Sequence, residues 1–273
     1  MFEARRYIGM VAAALTVSLV VGAADVHAAK PATEKIADAV TRLKTCKNMR
    51  ANVCVVATAT LTNAGDPALR SIMKVLRIMT KHGQILAMSV FENVDSLKST
   101  RGLIRITADT KLPIFVRAMS IRTLGERDGR GVVASLLKKT RDKDAVIRAA
   151  AVRALGNRAH GNDKKIIDML VKAAADEDAT VRLEAVMGLG LARHPKGGPV
   201  LARTLADKDG RVKLASTKGL QHIKFNESVP PLIKTLLSQD KTLKTSAANA
   251  LTYQTGKNLG EDYALWKGWY DNR

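Results

Sequence analysis

Apolar residues recur at helical spacing along the chain in short runs separated by turns, and from the middle onward the runs repeat. Five times an apolar residue and a base are followed, seven positions after the base, by Leu. The pairs are Val116–Arg117, Ile147–Arg148, Val181–Arg182, Val212–Lys213 and Leu243–Lys244, leading to Leu124, Leu155, Leu189, Leu220 and Leu251. A period of this size, roughly 31–34 residues, marks units that cannot bury their apolar faces alone and must stack on their neighbours. Each unit reads as two helices and a turn. In one, Asp144 stands at the N-cap, Ala145 to Leu155 forms a first helix that Gly156 closes, and a turn over 157–163 leads into a second helix over 164–174. The architecture expected is a solenoid.

Upstream the pattern weakens. Ala87-Met88-Ser89 precedes Ala118-Met119-Ser120 by one period, so 84–111 reads as a degenerate unit. Asp66–Pro67 should open a helix that runs to about Lys81, with 51–63 as its partner and 32–48 as a further helix. The array expected covers 29–273: degenerate units to about 111, clear units over 112–251 and a terminal cap over 252–273.

The chain of 273 residues carries a formal charge of +20, and only 4% of it is aromatic. A charge this large directs attention to anionic partners. Residues 1–28 read as a secretory signal: Arg5 and Arg6, an apolar run from Gly9 to Ala24, and the small-residue site Val26-His27-Ala28. The rival is an uncleaved anchor, for which the run is short. The expected location is periplasmic or secreted, in a Gram-negative bacterium. In an oxidising compartment Cys46 and Cys54 can pair; the alternative is two buried thiols.

Aspartates precede the first helices in two columns, Asp142, Asp176 and Asp207, then Asp144, Asp178, Asp209 and Asp240. Their oxygens suit the unpaired amides of a first helical turn. With the bases that follow they form an expected ladder, Asp144, Arg148, Asp178, Arg182, Asp209 and Lys213, each base pairing within its own unit or with the next. The ladder reads as architecture.

The wording of the units, Asp144-Ala-Val-Ile-Arg148-Ala-Ala-Ala-Val-Arg-Ala-Leu155-Gly156 and Asp178-Ala-Thr-Val-Arg182-Leu-Glu-Ala-Val-Met-Gly-Leu189-Gly190, resembles the HEAT repeat family in its short bacterial form. The likeness is clear over about 113–251 and extends to about 50. The ending, with Gly256, Gly260, Trp266 and Trp269, resembles the Gly…Trp-x-x-Trp ending of bacterial HEAT proteins. Trp266 and Trp269 share a helical face and should cover the last repeat, the other reading being an aromatic ligand grip. The resemblance implies an all-α, right-handed α-solenoid of stacked helical hairpins, about seven of them, with a concave surface lined by second helices. It names no partner.

At one position of four successive second helices stand Lys138, Lys172, Arg203 and Lys234, in step with the repeat. With Val133, Leu136, Leu137 and Thr140 as the inward arc, Lys138 points about 150° from its centre, into solvent. Lys165 and Lys196 extend the stripe, while Gly131 and Glu227 interrupt it. The bland alternative is a solvated face of good helix formers. Five separate histidines show no metal-ligand spacing, and no phosphate loop, nucleophile elbow, cofactor motif or catalytic set is present in the sequence. The expectation is therefore an exported, non-catalytic scaffold, without metal or cofactor, whose basic face binds an acidic protein or an anionic envelope component, with peripheral membrane contact as one form of it. The competing readings are a HEAT-like enzyme of lyase or DNA glycosylase type and a polyanion or nucleic-acid binder. The scarcity of aromatic platforms and the secretory signal count against nucleic acid.

Overall fold

The computed structural model describes residues 32–159 and 163–273, so the expected signal over 1–28 and His160 lie outside the described residues. Among them there is no strand. The fold is a helical solenoid of paired helices. The chain divides into two compact units, one ending at Gly102 and one starting at Leu103, and each is taken by itself.

The first unit contains α1 (Ala32–Lys44), α2 (Asn52–Ala64), α3 (Asp66–Val75) and α4 (Lys81–Asn93), and the boundary falls inside α5 (Leu97–Ala108). The helix expected from Asp66 to Lys81 breaks early. It passes into a 3₁₀ turn at Leu76–Ile78, Met79 is extended, and Thr80 caps α4 by accepting from Gly83 N–H at 3.1 Å. Thr80 is also held from outside, since its own N–H donates to the Lys44 carbonyl at 3.0 Å and its hydroxyl donates to that of Cys46. Thr80 thus satisfies two otherwise unpaired carbonyls at and just beyond the end of α1, which stops at Lys44, short of residue 48. Gly83 fits this junction because a Cβ there would lie 2.2 Å from the Leu43 carbonyl oxygen. The partner expected for α3 was α2, but α2 packs chiefly on α1 and α4. Cys46 and Cys54 are joined in a disulfide, Cα–Cα 6.0 Å, across the α1–α2 turn.

The second unit stacks hairpins. First helices are α6 (Ile114–Gly125), α8 (Ala145–Asn157), α10 (Ala179–Ala192), α12 (Gly210–Gly219) and α14 (Lys241–Thr255). Second helices are α7 (Val132–Lys139), α9 (Lys164–Ala173), α11 (Gly197–Thr204) and α13 (Val229–Thr235), with α15 (Tyr263–Asp271) last. Each first helix packs on the next in an unbroken row, and each of α7, α9 and α11 lies against the first helices before and after it. Leu124, Leu155, Leu189, Leu220 and Leu251 are all fully buried along the row. The repeat read from the sequence is thus the spacing of an apolar spine.

The Leu-Gly glycines do something other than end helices. Gly156 lies inside α8 and Gly190 inside α10, both buried, and neither has positive φ. Their role is close approach: a Cβ on Gly156 would stand 3.0 Å from the Gly188 Cα, and one on Gly190 would stand 3.1 Å from the Gly219 Cα. Adjacent first helices meet backbone to backbone at these points. In an exposed helix Gly→Ala should stabilise by ~1 kcal/mol. Here Gly188→Ala, whose Cβ would lie 3.0 Å from the Gly156 Cα and 2.8 Å from Leu170 Cδ2, should instead destabilise by ~1–3 kcal/mol in urea unfolding.

The last helix, α15, packs through its tryptophans. Trp266 is fully buried and its indole N–H donates to the Gly260 carbonyl at 2.8 Å. Trp269 meets it edge-on at 5.7 Å between ring centroids, and α15 packs on α13.

Candidate binding face

The carboxylates divide into two kinds of work. Asp144, Asp178, Asp209 and Asp240 cap their helices, accepting from N–H groups two or three residues on at 2.8–3.2 Å. Hydrogen bonds from the Arg211 side chain hold the Asp209 carboxyl at about 2, against the opposing effect of burial. The ladder uses the other column, so Asp144, Asp178 and Asp209 are not its rungs. Arg117 pairs with Asp142 at 2.7 Å, Arg148 with Asp176 at 2.8 Å and Arg182 with Asp207 at 2.7 Å, each reaching the following unit.

Geometry explains the choice. Arg148 and Arg182 also donate to two carbonyls of their own preceding turn, Asp142 and Lys143 for one, Asp176 and Glu177 for the other, at 2.9–3.2 Å. A planar guanidinium inserted between that turn and the next unit can present a bidentate fork only to the carboxylate across the interface. The ladder stops at Lys213. The position that should oppose it, one repeat after Asp207, is Ser238, which only accepts from Asp240 N–H at 3.1 Å. Lys213 makes no ion pair among the described residues.

Three further bridges between layers carry no repeat signature. Arg153 grips the buried Glu184 at 2.8 Å, and Arg158 donates to the Gly125 and Arg127 carbonyls at the end of α6 at 3.1 and 3.0 Å. Gln254, at the corresponding place three residues after its spine Leu, donates to the Leu220 and Ile223 carbonyls at 2.6 and 2.8 Å. Arg and Gln share nothing but reach and donors, so no residue-type column announces them.

Away from the interfaces the second helices are basic. α7, α9, α11 and α13 together carry one acid, Asp168, against seven bases. Lys138, Lys172, Arg203 and Lys234 are all exposed, and none makes an ion pair among the described residues. Lys165 is exposed as well. Lys196 departs from the expectation of a free stripe: it sits at the N-cap of α11 and its Nζ pairs with Asp168 at 2.6 Å, an interaction that lowers the Asp168 pKa. The inward arc of α7 also differs. Val132 and Leu136 are buried, whereas Val133, Leu137 and Thr140 are half-buried, because α7 packs on α6 and α8 and leaves its α9 side open. Between α7 and α9 runs a groove of about 430 Å³, in which Leu137 and Met169 lie beside Arg141, Lys165 and Lys172.

Among the described residues no group of three or more His, Cys, Asp and Glu is placed to hold a metal ion, and no helix is long and apolar enough to cross a membrane.

Residues 167–252, from within α9 to near the end of α14, match the family model for HEAT repeats. These residues are HEAT repeats. The match begins later than the resemblance in wording, within α9. The helical fold is similar to those of solved structures of low identity. The Escherichia coli protein YibA aligns at a TM-score of 0.59 and 17% identity, covering 76% of this chain and 77% of its own. An engineered protein aligns at 0.50 and 20%, covering 80% and 97%. Both likenesses concern the fold. No curated protein matches this chain.

Proposed function

We propose that the protein is an exported, non-catalytic HEAT-repeat scaffold whose second-helix face binds an acidic protein or an anionic envelope component. The observation that carries this reading is the imbalance on that face: four exposed bases in register, without partners among the described residues, on helices that hold a single acid. Asp144, Asp178, Asp176 and Asp207, elsewhere in the repeats, are already engaged as caps or rungs. Export is supported by the basic start, apolar run and cleavage site read from the sequence up to Ala28, and by a disulfide that suits an oxidising compartment.

Binding of the full chain to polyglutamate and to phosphatidylglycerol vesicles tests the reading. Attraction of this kind should weaken steeply as salt rises from about 50 to about 200 mM. Replacing Lys138, Lys172, Arg203 and Lys234 with Glu should abolish it while leaving the unfolding midpoint nearly unchanged, since exposed sites contribute little to stability. Binding of the fourfold variant equal to wild type at low salt would refute the reading.

A further inference from the structure

We propose that the groove between α7 and α9 is a docking site for an acidic protein segment that carries one large apolar side chain. This rests on the second-helix face being the binding surface, and adds a place on that face and a class of partner.

The groove is amphipathic in section. α9 turns Lys165, Asp168, Met169 and Lys172 toward it, spaced as one helical stripe, and the end of α7 with its following turn supplies Leu137 and Arg141. Leu137 and Met169 are half-buried, while the cationic heads stand at the exposed rim. The one carboxylate in the lining is already engaged, because Asp168 holds Lys196 of the next hairpin at 2.6 Å. Arg141, Lys165 and Lys172 have no ion-pair partner among the described residues. The recess thus offers three unopposed cations around an apolar floor.

The complement of such a site is a chain with carboxylates on either side of a leucine-like residue. Its acidic groups would meet the rim and its apolar group would cover Leu137 and Met169, the latter a flexible thioether that adapts to its neighbour. A lipid headgroup surface satisfies only the rim, since headgroups lie in a plane above the floor. Among the described residues no aromatic side chain lines the groove to stack a nucleobase.

The test measures fluorescence anisotropy with the full chain and two labelled acidic peptides, identical except for a single Leu or Ser at the centre, alongside phosphatidylglycerol vesicles. The Leu peptide should bind about tenfold more tightly than the Ser peptide. Met169→Ser should erase that difference and leave the Ser-peptide affinity unchanged, while Lys165→Glu with Lys172→Glu should weaken both peptides at least as strongly. Equal affinity for the two peptides, or a Leu preference that survives Met169→Ser, overturns the proposal and leaves the charged face standing. Binding to vesicles without binding to either peptide overturns it in favour of a lipid surface. Failure of all three probes to bind removes the broader reading as well.

Discussion

Asp207→Ala should destabilise the second unit by ~3–5 kcal/mol in urea-induced unfolding, because it strands the Arg182 guanidinium in a nearly dry interface. Both side chains are about nine-tenths buried, at 8% and 9% exposure, and Asp207 accepts from Arg182 Nε and Nη2 at 2.7 and 2.8 Å. The loss comes from the unpaired charge more than from the bond itself. A double change, Arg182→Met with Asp207→Leu, should therefore cost much less than either single removal. Acid should act in the same direction. Hydrogen bonds from Arg182 are the main cause holding the Asp207 carboxyl below its ordinary 3.8, against its own burial. A carboxylate with a depressed folded-state pKa contributes stability that is present above the unfolded value and lost as pH falls through the folded one. Wild-type stability should thus decline below about pH 4, and Asp207→Asn should flatten that part of the profile.

Leu155→Ala is expected to cost ~2–5 kcal/mol through the cavity it leaves. Leu155 is fully buried in the last turn of α8, with hairpins stacked on both sides, and the close approach of Gly156 to Gly188 beside it leaves α8 and α10 little room to move together into the space. In a stack where each hairpin touches only its neighbours, the loss should be local first. Hydrogen exchange should quicken most in α8 and in the helices packed on it. Leu191→Ala, at an exposed position of α10, should shift stability by no more than ~0.5 kcal/mol.

Much of the second unit was legible because one physical requirement recurs at one spacing. A spine Leu must be buried in every hairpin, so Leu124 through Leu251 mark the layers without any knowledge of their contacts. The caps were legible for the same reason, since an Asp before each first helix serves its own backbone. What lay between units was harder. Choosing Asp176 over Asp178 as the partner of Arg148 depends on where a guanidinium lies between two turns, which spacing alone does not tell. Gly156 looked like a helix end because Gly commonly is one, whereas its buried neighbour, Gly188, belongs to the next unit of the sequence. In the first unit the break at Leu76–Ile78 follows from Thr80 capping α4 while tied to the end of α1. Only a contact brought together by folding reveals it. The exposed column at Lys138, Lys172, Arg203 and Lys234 was readable from period and helical angle, but the Lys196–Asp168 pair was not.

Net charge alone would draw any anion toward a protein of +20, so the account stands on where the charge is displayed. Two fourfold variants separate these ideas. One reverses Lys138, Lys172, Arg203 and Lys234 to Glu; the other reverses Lys208, Lys218, Lys241 and Lys257, which are equally exposed but lie off the second helices. Both lower the formal charge by the same amount, and polyglutamate binding is measured on each at low salt. The account predicts that the first variant loses binding by at least about tenfold more than the second. Equal losses in the two would contradict it.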